Sequence, residues 1–276
     1  MRQITVLEAV HQARRTIGDI DARMLLQHVL DMSHAVLIAH SDRELLPEQA
    51  QYFVQLAQRR AHGEPVAYLT GKREFYSLDF KVSPAVLIPR PETELLVDLA
   101  LERSPVDCLL KILDLGTGSG AIALTIAKYR PLASVTAVDA SNDAVAIAKS
   151  NAKQLGVSNV NIIRSNWFDR LVGERFDLIV SNPPYVAGAD PHLAQGDLRF
   201  EPSMALTDSG DGLSCLRTII AAAPAHLETG GTLLVEHGYD QAQTCRLLLE
   251  EAGFGAIICR PDLAGIARIS GGICMI

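Results

Sequence analysis

Lys111-Ile112-Leu113-Asp114-Leu115-Gly116-Thr117-Gly118-Ser119-Gly120-Ala121 decides how this chain folds. An apolar run that breaks into alternate glycines and then enters the apolar stretch 121–129 reads as strand, tight loop and helix. The same alternation continues downstream. Strands are predicted over 111–115, 134–138, 160–163, 176–181 and 232–235, and helices over 121–129, 142–155, 213–226 and 241–252. Two later runs, 256–259 and 267–270, read as an antiparallel closing edge. Strands alternating with helices predict an α/β domain, Rossmann-like, with a mostly parallel seven-stranded sheet and helices on both faces. In such a sheet ligands gather at the carboxyl ends of the strands.

The glycine loop lies at that end. Its glycines permit a tight turn and leave no side chain between backbone and ligand, with amides expected to face the ligand at a helix N-terminus. Asp139 ends the second predicted strand, where a carboxylate accepts from both hydroxyls of a ribose. A nucleoside-containing cofactor is therefore expected. Gly116-x-Gly118-x-x-Ala121 satisfies a dinucleotide fingerprint, in which the loop holds a pyrophosphate. Asp114 stands close before the first glycine; it would repel two phosphates and attract the ammonium of an amino-acid-like cofactor. The Asp114-x-Gly116-x-Gly118-x-Gly120 form resembles motif I of S-adenosylmethionine-dependent methyltransferases. That resemblance puts Ser165-Asn166-Trp167-Phe168, after the third strand, beside an adenine ring. Trp167, the only tryptophan, would stack on it, and Asn166 replaces the acidic residue common there.

Asn182-Pro183-Pro184-Tyr185 follows the fourth strand. Two prolines end a sheet ladder, so an irregular loop is expected at the ligand-binding edge. An amide nitrogen is a weak nucleophile because its lone pair is delocalised. The Asn182 side-chain oxygen and the Pro183 carbonyl can each accept one hydrogen of a planar NH2 group. That aims the nitrogen and stabilises the positive charge that develops on transfer. Tyr185 is expected to form a wall against the planar group. No strong general base is required.

The formal net charge of -7 argues against a protein that lives on nucleic-acid backbone. The cysteines are far apart with no C-x-x-C pairing, and no H-E-x-x-H occurs, so no metal site is expected and reduced cytoplasmic thiols are. Met1-Arg2-Gln3-Ile4 opens no long apolar core, and no run is apolar enough to span a bilayer, so neither a leader nor a membrane anchor is expected. Residues 1–70 read as a helical bundle: Thr5 to Glu8 has the capping-box form, helices are predicted from Thr5 and over 21–30, and Pro47 opens another. Residues 71–91 read as hairpin and linker, and 92–276 as the catalytic domain.

Asn182-Pro183-Pro184-Tyr185 is similar to the N-P-P-Y motif of methyltransferases acting on planar nitrogens, including adenine-N(6) and protein glutamine enzymes. Further runs narrow the choice. Gly71-Lys72-Arg73-Glu74-Phe75-Tyr76, Leu87 to Glu94, Asp197 to Pro202 and Glu236-His237-Gly238 resemble the bacterial peptide chain release factor N(5)-glutamine methyltransferase (PrmC/HemK) family, and the resemblance spans nearly the whole chain. It implies methyl transfer from S-adenosyl-L-methionine, yielding S-adenosyl-L-homocysteine, to the glutamine of the Gly-Gly-Gln motif of class-one release factors. By the motif matches, Gly116, Thr117, Gly118, Ser119, Gly120, Asp139, Trp167 and Asn182 would hold the cofactor. Asn182, Pro183, Pro184 and Tyr185 would hold the glutamine amide, with Asn182, Pro183 and Tyr185 catalytic. The helical front domain would recognise the substrate. A cytoplasmic monomer without direct nucleic-acid binding is expected. A relative acting on a ribosomal protein glutamine, or on adenine N(6) of DNA or RNA, is the alternative within the class. A nicotinamide dehydrogenase or a non-catalytic binding protein would conflict with Asp114 and Asn182.

Overall fold

Two short strands, β1 (Lys72–Phe75) and β2 (Leu78–Lys81), make a hairpin in the computed structural model, which describes residues 4–275. Met1, Arg2 and Gln3, which open the stretch read for a leader, and Ile276 lie outside the described residues. The turn holds Tyr76 and Ser77 at φ 53° and 59°, the left-handed pair that a two-residue hairpin turn requires. Phe75 and Phe80 are buried in the core of the sheet domain, their rings edge to face at 6.1 Å, so this segment packs as part of that domain.

The chain divides into two compact units, Arg73–Ala194 with Glu201–Ile276 and Met1–Lys72 with Gln195–Phe200. In the larger, β3 (Lys111–Leu115), β4 (Ser134–Asp139), β5 (Val160–Arg164), β6 (Phe176–Ser181), β7 (Leu227–Glu236), β8 (Phe254–Pro261) and β9 (Ala267–Cys274) form one sheet in the order β5-β4-β3-β6-β7-β9-β8. The first five are parallel; β9 runs antiparallel to β7 and β8 to β9. The expected fold class is therefore the observed one. The order reverses between β3 and β6, which are direct neighbours with Leu115 opposite Ser181. A crevice opens at such a switch point.

Strand alternation sorts the core onto two faces. Ile112, Val135, Ala137, Leu178 and Val180 pack in one cluster with Leu96, Val97, Ile122, Ile126 and Ala148. Leu113, Leu115, Val138 and Ile179 pack in the other with Leu216, Ile219, Ile220, Cys245 and Leu249.

The smaller unit is helical: α1 (Val6–Ile17), α2 (Asp19–Leu30), α3 (His34–Ala39), α4 (Pro47–Ala61) and α5 (Val66–Thr70). Both bonds of the Thr5–Glu8 capping box form. Its core is a continuous cluster that includes Val10, Leu25, Leu26, Phe53 and Leu56. Residues 195–200 belong to this unit, where Asp197 pairs with Arg60 at 2.9 Å and Arg199 donates to the His62 carbonyl at 2.7 Å. In the larger unit α6 (Glu94–Arg103), α7 (Ala121–Tyr129), α8 (Asn142–Leu155), α9 (Ser203–Leu206), α10 (Ser214–His226) and α11 (Ala242–Glu251) cover the sheet.

Candidate active site

At the carboxyl ends of β3, β4 and β6 lies a cavity of about 420 Å³. The glycine loop contributes Gly116, Thr117, Gly118 and Ser119 to its lining. Gly116 has φ 74°, a conformation that a Cβ resists, and an added Cβ there would meet the Trp167 ring at 3.5 Å. Trp167 itself has φ 44°, rare for so bulky a residue. Ser165 Oγ donates to the Trp167 carbonyl at 3.0 Å and accepts from Arg170 N at 3.1 Å. This local lock holds the indole at the cavity wall beside Asn166, whose Nδ2 leans on Asp169 at 3.4 Å.

Four of the loop's amides turn into the fold, where all were expected to face the ligand. Gly116 and Thr117 both donate to the Val138 carbonyl at 2.9 Å, Gly118 to Asp139 Oδ2 at 2.9 Å, and Gly120 to Thr117 O at 2.8 Å. A pyrophosphate cradle needs unspent N–H donors, and these four are spent inside the fold. Gly120 stands outside the cavity lining; it caps α7 and packs against Leu124 and Ala148.

Asp139 lines the cavity and is bound by Gly118 N and Ser141 N, each at 2.9 Å. Burial raises its pKa, and the backbone donors oppose that rise. Asp114 is wholly buried and does not line the cavity, so any pull on an ammonium acts from behind the lining. Its Oδ2 accepts from Thr117 Oγ1 at 2.7 Å and Ala123 N at 3.2 Å, tying the loop to the start of α7. Its Oδ1 is buried with no hydrogen-bond partner among the described residues. Burial pushes the carboxyl up to about 7, and the Asp139 charge adds to the push. Two desolvated acidic groups at one loop disfavour an anionic ligand, and a cationic one would favour their ionised forms.

On the far side of the switch point, Ser181 Oγ donates to the Leu115 carbonyl at 2.8 Å, locking the end of β6 to the end of β3. Asn182 and Pro184 line the cavity; Pro183 is buried outside the lining. Asn182 Nδ2 donates to Thr93 Oγ1 at 3.1 Å, and among the described residues Oδ1 is left as the free acceptor of the side chain. Tyr185 does not line the cavity. Its hydroxyl donates to Glu236 Oε1 at 3.1 Å and its carbonyl accepts from Gln241 Nε2 at 2.9 Å, so the phenol props the loop. Burial first, then the Glu236 charge, raises the Tyr185 pKa.

Of the opposite wall the sequence pointed only to Arg90, as a residue near the substrate entrance. Ala85 to Leu87, Pro89, Arg90 and Thr93 line one side, and Ser203 to Ala205 and Thr207 to Ser209 another. Arg90 is ion-paired to the fully buried Glu201 side chain, whose Oε2 also accepts from Ile88 N at 3.0 Å. The prolines at 89 and 91 were the available signal, since they stiffen the chain just before a helix start. Asn151 was also missed. Its Oδ1 accepts from Lys81 N at 2.8 Å and its Nδ2 donates to the carbonyls of Lys81 at 3.0 Å and Ser119 at 2.8 Å. It thereby pins the hairpin and the glycine loop to α8.

These features fit a cofactor that carries a ribose, an aromatic base and positive charge. Asp139 supplies acceptors and Trp167 an aromatic face, and the two acidic side chains of the loop suit a positive charge nearby.

The family described as Methyltransferase small domain matches residues 92–211, and that described as PrmC N-terminal domain matches residues 8–71. The chain is similar to a protein named release factor glutamine methyltransferase from Xylella fastidiosa (strain Temecula1), 51% identical over 262 residues and covering 95% of each chain. The protein of that name from Escherichia coli (strain K12) is 44% identical over 267 residues, covering 97% of this chain and 94% of that one. Among solved structures, a methyltransferase from Pyrococcus furiosus shares the fold, with a TM-score of 0.56 at 19% identity over 79% of this chain and 98% of that chain.

Proposed function

The chain belongs to the release factor glutamine methyltransferase family, and on that premise we propose that it methylates the side-chain amide nitrogen (N5) of the glutamine in the Gly-Gly-Gln motif of class-one release factors. The observation that carries this reading is the meeting, in one cavity, of the glycine loop with an Asn182 whose Oδ1 is left free to accept. S-adenosyl-L-methionine, when bound, supplies an electrophilic methyl group on a sulfonium and leaves as S-adenosyl-L-homocysteine.

The residues that would hold it are Gly116 to Ser119, Asp139 through the ribose hydroxyls, and Trp167 against the adenine. Asn182 Oδ1 accepts one hydrogen of the substrate amide. The Pro183 ring is buried, so what Pro183 offers a substrate is its carbonyl, which accepts the other hydrogen. Together they aim the nitrogen and stabilise charge as it develops there. The positively charged nitrogen then loses a proton to solvent without a dedicated base. Pro184 closes the loop side of the cavity, and Tyr185 holds the loop in place from behind.

In this reading the enzyme works in the cytoplasm, where release factors act, as a monomer that binds no nucleic acid directly. The net charge of -7 supports a protein substrate. The helical unit is the part available for recognising it. Among the described residues no helix is long and apolar enough to cross a membrane.

The test is transfer of radiolabel from S-adenosyl-L-methionine to an intact release factor beside a factor carrying Gln→Ala in its Gly-Gly-Gln motif. Label on the first alone is expected. Equal label on both, or label only on added nucleic acid, overturns the reading.

A further inference from the structure

Pro183 and Pro184 have no backbone N–H, so neither can be tied down by a donor of its own. The segment that aims the acceptor is fixed at its two ends instead. Upstream, Ser181 Oγ holds the end of β6 to the Leu115 carbonyl. Downstream, the Tyr185 carbonyl is held by the side chain of Gln241, which stands just before α11.

Gln241 is buried, and its side-chain amide is spent on backbone groups from three segments. Its Oε1 accepts from Gly238 N at 2.8 Å, just past β7. Its Nε2 donates to the Tyr185 carbonyl at 2.9 Å and to the Gly212 carbonyl at 3.2 Å. A backbone N–H only donates and a carbonyl only accepts, so one orientation of the amide satisfies all three. Gly212, at φ 78°, lies directly on the same peptide: an added Cβ would meet the Tyr185 oxygen at 2.4 Å and Ala187 N at 3.0 Å. Gly212 belongs to the loop that carries Thr207 to Ser209 into the cavity lining. Asp208 gathers that loop, accepting from Gly210 N at 2.8 Å, Gly212 N at 3.0 Å and Ser214 N at 2.9 Å. Val186 N donates to the Leu206 carbonyl and Gly188 N to the Gly210 carbonyl, each at 2.9 Å. One side-chain nitrogen thus grips both the end of the Asn182-to-Tyr185 segment and the loop behind a second wall of the cavity.

Resting on the reading above, we propose that Gln241 is a positioning residue for methyl transfer, which fixes the direction of the Pro183 carbonyl and of Asn182 by holding the Tyr185 and Gly212 carbonyls together. Gln241 does not line the cavity and makes no hydrogen bond to Gly116, Asp139 or Trp167. Its loss therefore falls on the aiming of the acceptor and spares the cofactor.

The test uses the full chain and an intact release factor. Gln241→Met keeps the length of the side chain and removes its hydrogen bonds. It is expected to lower kcat about tenfold or more, while the release-factor KM and the calorimetric affinity for S-adenosyl-L-methionine change less than about threefold. Gln241→Glu keeps an acceptor for Gly238 N but, ionised, has no donor for the two carbonyls, and it falls as far. Gly212→Ala forces the same contact apart from the other side and gives the same split between kcat and affinity. The double variant Gln241→Met, Gly212→Ala loses less than the product of the single losses, because both changes break one contact.

A second readout needs no turnover. The 15N shift of a backbone amide responds to the hydrogen bond accepted by the carbonyl before it. In Gln241→Met the Val186 and Leu213 amide resonances shift, and that of Ser141, held by Asp139, stays in place as the mark of an intact fold. Wild-type kcat in Gln241→Met or Gln241→Glu, a loss of cofactor affinity as large as the loss of kcat, single losses that multiply in the double variant, or unmoved Val186 and Leu213 resonances overturn the proposal. If the wild-type enzyme labels no release factor, the functional reading fails, and the resonances alone decide whether Gln241 grips the two carbonyls.

Discussion

Gly118 donates its backbone N–H to Asp139 Oδ2 across 2.9 Å, so the loop after β3 and the carboxylate that ends β4 form one unit. Asp139 thus has two duties, shaping the loop and presenting oxygens to the cavity. Asp139→Ala is expected to weaken S-adenosyl-L-methionine binding about tenfold or more, since a buried charge-assisted contact and the loop geometry go together. Titration calorimetry reads this directly. Wild-type affinity in the variant would remove Asp139 from the cofactor site.

Asn182→Ala should separate binding from turnover. The side chain is proposed to aim the acceptor, so kcat is expected to fall about a hundredfold with cofactor affinity held within about threefold. Single-turnover kinetics beside calorimetry measures both. A loss confined to affinity would reassign Asn182 to the cofactor.

Trp167 is the only tryptophan and lines the cavity, which makes it a built-in reporter. Its fluorescence is expected to change and saturate on titration with S-adenosyl-L-methionine or S-adenosyl-L-homocysteine. Trp167→Phe abolishes the signal and weakens binding, since the larger face is lost. A tryptophan emission indifferent to both ligands would contradict the assigned contact.

Asp114 gives a pH dependence with a definite sign. Its carboxyl is raised from 3.8 to about 7 by burial, so the native state holds a proton that the unfolded chain has released. Its contribution to stability is full below about pH 4, falls as pH rises toward 7, and is gone above that, an amount on the order of 4 kcal/mol at most. Urea denaturation across pH 4 to 8 should show wild type losing stability relative to Asp114→Asn over that window. A difference independent of pH would mean that Asp114 titrates normally.

Asn151→Ala removes three hydrogen bonds at once, to Lys81 N, Lys81 O and Ser119 O. The Ser119 carbonyl it leaves unpaired is buried and the two Lys81 groups are partly so, and a loss of about 1–3 kcal/mol is expected. The melting temperature and the cofactor affinity should fall together, because Ser119 belongs to the cavity lining. A variant that melts at the wild-type temperature would show that the hairpin does not depend on this clamp.

Much of the sheet was readable from local pattern alone. β3 and α8 end at Gly116 and Gly156, and β6 and α7 end one residue short of Pro183 and Pro131, as the glycines, prolines and apolar periodicity say they should. β7 begins earlier than expected, at Leu227, because its pairing with β6 shifts between Phe176 and Leu178 opposite the Gly230-Gly231 pair. α3, α5 and α9 are too short for a periodicity to be seen. Within the cavity lining, the glycine loop, Asp139, Trp167 and Asn182 were legible because each sits at or just past the end of a strand. The direction of the Tyr185 phenol was not, since Glu236, far along the chain, draws it away from the cavity. The same holds for Glu201, whose buried charge organises Ile88 and Arg90 from a loop with no pattern of its own.

The pairing of Leu115 with Ser181 has a consequence for how such a chain changes over time. The gap between the glycine loop and Asn182 is counted in rungs of the β3–β6 ladder, so loop length has no say in it. The exposed loop residues that follow Tyr185 can therefore lengthen or shrink without changing that count. One residue inserted within β6 would instead turn its side chains to the wrong faces and misplace that group. The scaffold separates what is modified from how it is modified. A descendant acquires a new acceptor by editing the downstream loops, and it keeps the chemistry as long as one ladder keeps its count.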